Sequence, residues 1–163
     1  PDGKTQLVAR LRLRHQTGAA DCEAISHRYA ALDLPAGQLS AEAFITDMGR
    51  AYAECDLVVG RAGATTLAEL TAIGKPALLI PFPQATDDHQ TENARWLVNE
   101  GAAELLPQAT TTPAQLLARL QALCDGEAGT KQLATMAAAS RRLGRPDAAR
   151  TIAEQVLKIV EKS

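Results

Sequence analysis

The sequence predicts an α/β fold, a Rossmann-like parallel sheet with helices on both faces. Three observations carry that prediction. Short β-rich runs alternate with alanine-rich stretches of helical period from residue 11 to residue 106. The run Pro76-Ala77-Leu78-Leu79-Ile80-Pro81 is unbroken by polar residues and bounded by prolines, as a strand buried on both faces requires. A length of 163 residues with 46% hydrophobic content is enough for one domain with a full-sized core.

Each element follows from its local pattern. A strand is predicted over 11–15, ending at Gln16-Thr17-Gly18. A helix over 21–32 places Ala24, Ile25, Tyr29 and Leu32 near one face and gives way to a loop at Pro35 and Gly37. A short strand over 39–44 and a short helix over 47–55 precede the buried strand Asp56-Leu57-Val58-Val59-Gly60. Arg61-Ala62-Gly63 then turns into a helix over 66–73. Gly74 suits the position just past that helix, because glycine takes positive φ at little cost. The strand over 76–81 is followed by a helix over 87–100, closed by Gly101, and a last strand over 102–106. After Pro107 the pattern is helical only, over 113–124, 130–143 and 147–162. The chain therefore reads as a single domain over 1–163, with a sheet-bearing core over 1–108 and a helical tail over 109–163.

Composition excludes several classes of function. With 17 basic and 19 acidic residues, the formal net charge of −2 gives no basic footprint for a nucleic acid. Cys22, Cys55 and Cys124 lie far apart without a C-x-x-C pair, which argues against a structural zinc site or a disulfide framework and fits a reducing compartment. The longest apolar runs fall well short of the roughly 20 residues that a membrane-spanning helix needs. The chain opens on Pro1-Asp2-Gly3-Lys4 without an initiator Met, the expectation for an excised domain or a processed fragment.

In an open parallel sheet, ligands bind beyond the carboxyl ends of the strands. Three such loops carry candidate residues. The segment Gly60-Arg61-Ala62-Gly63-Ala64-Thr65-Thr66 joins a strand to a helix, and its small residues let a phosphate approach the N–H groups that a helix start leaves unpaired. It is neither G-x-G-x-x-G nor a P-loop, and an ordinary tight turn fits the spacing equally. Arg61 reads either as added positive charge or as a surface residue. Thr66-Leu67-Ala68-Glu69 matches a capping box, in which Thr and Glu satisfy one another's backbone N–H groups. Against that, a carboxylate on the first turns can accept both hydroxyls of a ribose.

Between Pro83 and Asn93, the side chains of Asp87, Asp88, His89, Gln90 and Asn93 gather on the first turns of a helix. Asp87 or Asp88 can cap it. Three adjacent positions point in different directions around a helix, which disfavours a metal site. Gln90 and Asn93, three apart, share a face, and paired amides suit a neutral polyol such as a sugar. His15 ends the first strand, where a structural role and a ligand role both fit. The sequence has no G-x-S-x-G elbow and no H-E-x-x-H, so covalent hydrolases and zinc peptidases fall away.

Taken together, His15-Gln16-Thr17-Gly18, Phe44-Ile45-x-Asp47-Met48 with Ala51-Tyr52, the run from Asp56 to Ala64 with Glu69, Gly74-Lys75-Pro76-Ala77, Pro81-Phe82-Pro83, Asp88-His89-Gln90 with Asn93-Ala94, and Gly101-Ala102-Ala103 resemble the MurG family. Its members transfer N-acetylglucosamine from UDP-N-acetylglucosamine to lipid I, making lipid II for peptidoglycan. The resemblance implies a GT-B enzyme of two Rossmann-like domains and places this chain as its C-terminal, donor-binding one, with a Gly-Gly-Ser-Gln-Gly-Ala loop expected upstream. It implies uracil held by backbone at Ile45 and phosphates at the helix start matching Ala64, Thr65 and Thr66, with Leu67 and Ala68 also among the substrate-binding residues. It further implies ribose held by Glu69 and sugar hydroxyls met by Gln90 and Asn93. His15, Met48, Arg61 and His89 are further candidates. No catalytic base is expected in this chain, and no cofactor or metal is expected to be required. The lipid I acceptor and contact with the cytoplasmic face of the inner membrane would belong to an N-terminal domain. The alternatives are another GT-B transferase, such as a diacylglycerol glycosyltransferase, or a non-catalytic nucleotide-binding module.

Overall fold

In the computed structural model, which describes residues 11–84 and 88–160, the first backbone event is a β-α-β turn. β1 (Leu13–Gln16) leads through α1 (Ala19–Ala30) to β2 (Leu39–Glu42), and the two strands pair in parallel with His15 opposite Ala41. Backbone bonds carry the ladder past both strands: Thr17 N–H donates to Glu42 O at 2.9 Å and Gly18 N–H to Ala43 O at 3.1 Å. Gly18 takes φ 78° to enter α1, a conformation open to glycine. Arg14 lies opposite Ser40, so Glu42 is its diagonal neighbour on the same face. The two form a fork, Nε to Oε1 at 2.5 Å and Nη2 to Oε2 at 2.9 Å. That guanidinium holds the Glu42 carboxyl below its ordinary range. The short α2 (Met48–Glu54) starts at Asp47, whose Oδ1 accepts from Arg50 N–H at 2.9 Å. These elements belong to one unit, Pro1–Glu54; the rest form a second, Cys55–Ser163.

In the second unit strands and helices alternate: β3 (Val58–Gly60), α3 (Ala64–Ile73), β4 (Ala77–Leu79), α4 (His89–Asn99) and β5 (Ala103–Leu105). The strand order is β3-β4-β5 and both pairings are parallel. Ala77, Leu78 and Leu79 of the central strand are fully buried, which an unbroken apolar run demands. Leu78 packs with Leu123 of α5 (Pro113–Cys124) and Met136 of α6 (Gly126–Leu143). α6 also lies against α3, where the buried Ser140 hydroxyl donates to Leu70 O at 3.3 Å. Gly74 ends α3 at φ 75°, its N–H donating to Leu70 O at 2.8 Å. α5 opens on a full capping box between Thr112 and Gln115, with Pro113 as its first residue.

The last helix, α7 (Ala148–Val160), has no buried residue. Ile152, Val156, Leu157, Ile159 and Val160 are each more than half exposed, and 152, 156 and 159 recur at helical spacing. Among the described residues, no helix is long and apolar enough to cross a membrane.

Most element boundaries shift from those expected, the first helix to 19–30 from 21–32 among them, and two of the shifts have a clear local reason. α3 begins at Ala64 rather than Thr66, because Gly63 enters it in extended conformation and contributes no side-chain cap. α6 begins at Gly126 rather than residue 130. Gly126 and Gly129 read as a break, yet the missing Cβ at Gly129 is what lets α6 lie against the backbone of α5. The strands among the described residues form two ladders, one per unit; the expected core over 1–108 spans both units, and the expected tail lies in the second.

A Cβ placed on Gly129 would stand 2.6 Å from the carbonyl oxygens of Ala122 and Leu123. Backbone cannot swing aside as a side chain can. Gly129→Ala is therefore expected to cost about 1–3 kcal/mol of stability, despite alanine's better helix propensity, read as a lowered urea midpoint.

Candidate functional site

All strands of the second ladder run the same way, so the loops after β3, β4 and β5 emerge on one side of it. The loop after β3 is short. Ala62 is fully buried and Gly63 extended, so the chain turns into α3 with little side-chain bulk. The first bond closing the helix runs from Leu67 N–H to Gly63 O at 3.0 Å. The N–H groups of Ala64, Thr65 and Thr66 come before it and have no carbonyl within the helix to meet. The cap residue Gly63 has no side chain to offer them, and no acidic residue sits in the first turn. The start of α3 thus offers three N–H groups without a helical carbonyl and a positive dipole end with no acid in its first turn, which is an anion-binding arrangement.

Glu69 follows Thr65 by four positions and Thr66 by three, so it shares their face of α3 and leans back toward the helix start. Thr66 is the third helical residue and not the cap, so the predicted capping box does not form. Leu67 is buried in the core; Ala68 is exposed.

The two amides of α4 are each half engaged. Gln90 Oε1 accepts from Phe82 N–H at 2.9 Å, and Asn93 Nδ2 donates to Ala62 O at 3.1 Å. Those bonds fix which end of each amide points inward: Gln90 keeps its NH2 and Asn93 its carbonyl oxygen for another partner. They also tie the start of α4 to the loops after β3 and β4. Asp88 precedes α4 in a left-handed conformation, φ 53°, and its Oδ1 accepts from Thr91 Oγ1 at 2.6 Å instead of capping the backbone. His89 is the exposed first residue of α4. Asp87 lies outside the described residues, and among the described ones no group of three His, Cys, Asp or Glu could hold a metal ion.

Arg61 is not an unattached surface charge. Its Nη1 donates to Ile80 O at 3.1 Å, Pro81 O at 3.0 Å and Gln108 Oε1 at 2.7 Å, and its guanidinium carbon stands 5.3 Å from the Phe82 ring centre.

In the first unit, Ile45 N–H donates to Gln16 Oε1 at 2.9 Å. His15 Nδ1 pairs with the Tyr29 hydroxyl at 2.9 Å, and burial raises the tyrosine above its ordinary range. Met48 is the half-buried first residue of α2. Sequence reasoning missed Gln16 as the partner of Ile45 and missed Phe82 and Gln108 as partners of Arg61. These pairs are 29, 21 and 47 residues apart, beyond any local pattern.

Residues 1–155 match the model of the glycosyltransferase family 28 C-terminal domain. The chain is 50% identical over 150 residues to the UDP-N-acetylglucosamine–N-acetylmuramyl-(pentapeptide) pyrophosphoryl-undecaprenol N-acetylglucosamine transferase of Azotobacter vinelandii, covering 92% of this chain and 40% of that protein. It is 45% identical over 161 residues to the protein of the same name from Stutzerimonas stutzeri, covering 98% and 44%. Among solved structures it is similar to MurG of Acinetobacter baumannii, with a TM-score of 0.76 and 34% identity over 96% of this chain and 47% of that one. The glycotransferase of kitacinnamycin, with a TM-score of 0.58, 24% identity and coverage of 94% and 38%, shares the fold. The chain spans less than half the length of these relatives.

The two threonine helix starts can be told apart by stability. Thr112→Ala, which removes a formed capping box, is expected to cost about 1 kcal/mol. Thr66→Ala removes no cap and is expected to cost less than about 0.5 kcal/mol. Urea melts of the two variants check both values.

Proposed function

The chain belongs to the glycosyltransferase family 28 C-terminal domain family, and from that premise we propose that it is the donor-binding half of the transferase that adds N-acetylglucosamine to lipid I. The carrying observation is the start of α3, whose Ala64, Thr65 and Thr66 N–H groups precede the first bond closing the helix, with no acid in the first turn. A nucleoside diphosphate supplies the anion such a site favours. Glu69, on the same face, accepts the ribose hydroxyls. The spare ends of Gln90 and Asn93 meet hydroxyls of the sugar.

Transfer requires the acceptor hydroxyl oxygen to attack the anomeric carbon as the bond from that carbon to the β-phosphate oxygen breaks. UDP departs with the electron pair, and the acceptor proton passes to a base. In this proposal the acceptor, the base and the membrane contact belong to the N-terminal half, docked peripherally at the cytoplasmic face of the inner membrane. This chain stabilises the departing diphosphate through the α3 N–H groups. The uncovered apolar stripe of α7 supports the reading that the tail over 109–163 reaches toward that N-terminal half.

Glu69→Gln keeps shape and removes charge. Donor affinity of the full-length protein is expected to fall by about 1.5–3 kcal/mol, roughly ten- to a hundredfold by calorimetry, with little change in melting temperature. Unchanged UDP affinity in this variant would remove Glu69 from the site.

Because helix N–H groups carry the phosphate charge in this proposal, donor binding is expected to survive EDTA. Loss of UDP binding on chelation, restored by magnesium or manganese, would show instead that a divalent ion carries that charge.

A further inference from the structure

We propose that Arg61 is a positioning residue: it sets the spacing between the start of α3 and the start of α4 by pinning together the loops that leave all strands of the second ladder. This rests on the donor-binding reading and adds to it a determinant of sugar selectivity. The geometry is specific. One nitrogen, Nη1, serves Ile80 O and Pro81 O after β4 and Gln108 Oε1 after β5, while the residue itself follows β3. The guanidinium also faces the Phe82 ring at 5.3 Å.

The pinned loop is in turn the one that orients an α4 amide. Phe82 N–H donates to Gln90 Oε1, and Asn93 Nδ2 holds Ala62 O, the residue directly after Arg61. The loop after β3, the loop after β4 and the first turns of α4 are therefore closed into one ring of hydrogen bonds with Arg61 at its junction. α3 presents N–H groups to a diphosphate and α4 presents amides to a sugar, so the distance between them decides whether one donor satisfies both. An error of about an ångström in such spacing is costly. Strand pairing ends at Gly60, Leu79 and Leu105, so the segments that set this distance lie beyond the paired residues.

The test measures the full-length protein and its Arg61→Ala, Gln108→Ala and doubly substituted forms. Arg61→Ala is expected to lower kcat/KM for UDP-N-acetylglucosamine by about tenfold or more and to narrow its preference over the C4-epimeric donor. Affinity for uridine is expected to stay within about twofold, and the Phe82 amide to exchange faster with solvent. Gln108→Ala, which leaves the charge in place, is expected to reproduce part of the selectivity loss, and the double variant to be less than additive. If Arg61→Ala lowers UDP affinity with selectivity intact while Gln108→Ala is silent, Arg61 touches the phosphate directly and the proposal fails. It fails as well if melting temperature alone moves. Should the unsubstituted protein bind no UDP-sugar, the donor-binding reading falls; faster Phe82 exchange in Arg61→Ala still tests the pin by itself.

Discussion

The parallel β3-β4-β5 ladder is the constraint on which the site depends. Parallel pairing sends every strand's carboxyl end to one side, so each crossover helix must start there, with its unpaired N–H groups and positive end facing the same space. The ladder is held by burial of β4, whose side chains are wholly out of water, and by the α5 and α6 residues packed on Leu78. Hydrophobic packing thus fixes where the polar chemistry can occur. None of the packed residues need touch a ligand for the site to depend on them.

What the ladder leaves undetermined, side chains settle locally. Small residues at 62–64 bring backbone rather than side chain to the position proposed for the anion, and no acid sits in the first turn of α3. Gln90 and Asn93 each use one end on backbone and keep the other, so their amides are held before a ligand arrives. Prepaid orientation of that kind lowers the entropy a bound sugar would otherwise cost.

Most of this architecture was legible in local sequence. The proline-bounded run at 76–81 reads as a buried strand, Gly74 suits a helix end, and the shared face of Gln90 and Asn93 follows from a spacing of three. The start of α3 was misplaced because its cap, Gly63, has no side chain to advertise the position, whereas Thr66 and Glu69 imitate a capping box. α6 was shortened because glycine lowers helix propensity, and only the tertiary contact with α5 shows what Gly129 is for. Arg61 was undecided for a further reason: its acceptors lie 19, 20 and 47 residues away, two of them backbone carbonyls, which any sequence could supply.

The central claim is that the start of α3 holds the donor's diphosphate, and backbone amide shifts report on it most directly. Titrating the isotopically labelled full-length protein with UDP and with uridine separates the phosphates from the nucleoside. The account predicts that UDP moves the Ala64, Thr65 and Thr66 amide resonances strongly and that uridine leaves them nearly in place. Equal movement with both ligands, or none at these residues while UDP binds elsewhere, would contradict it.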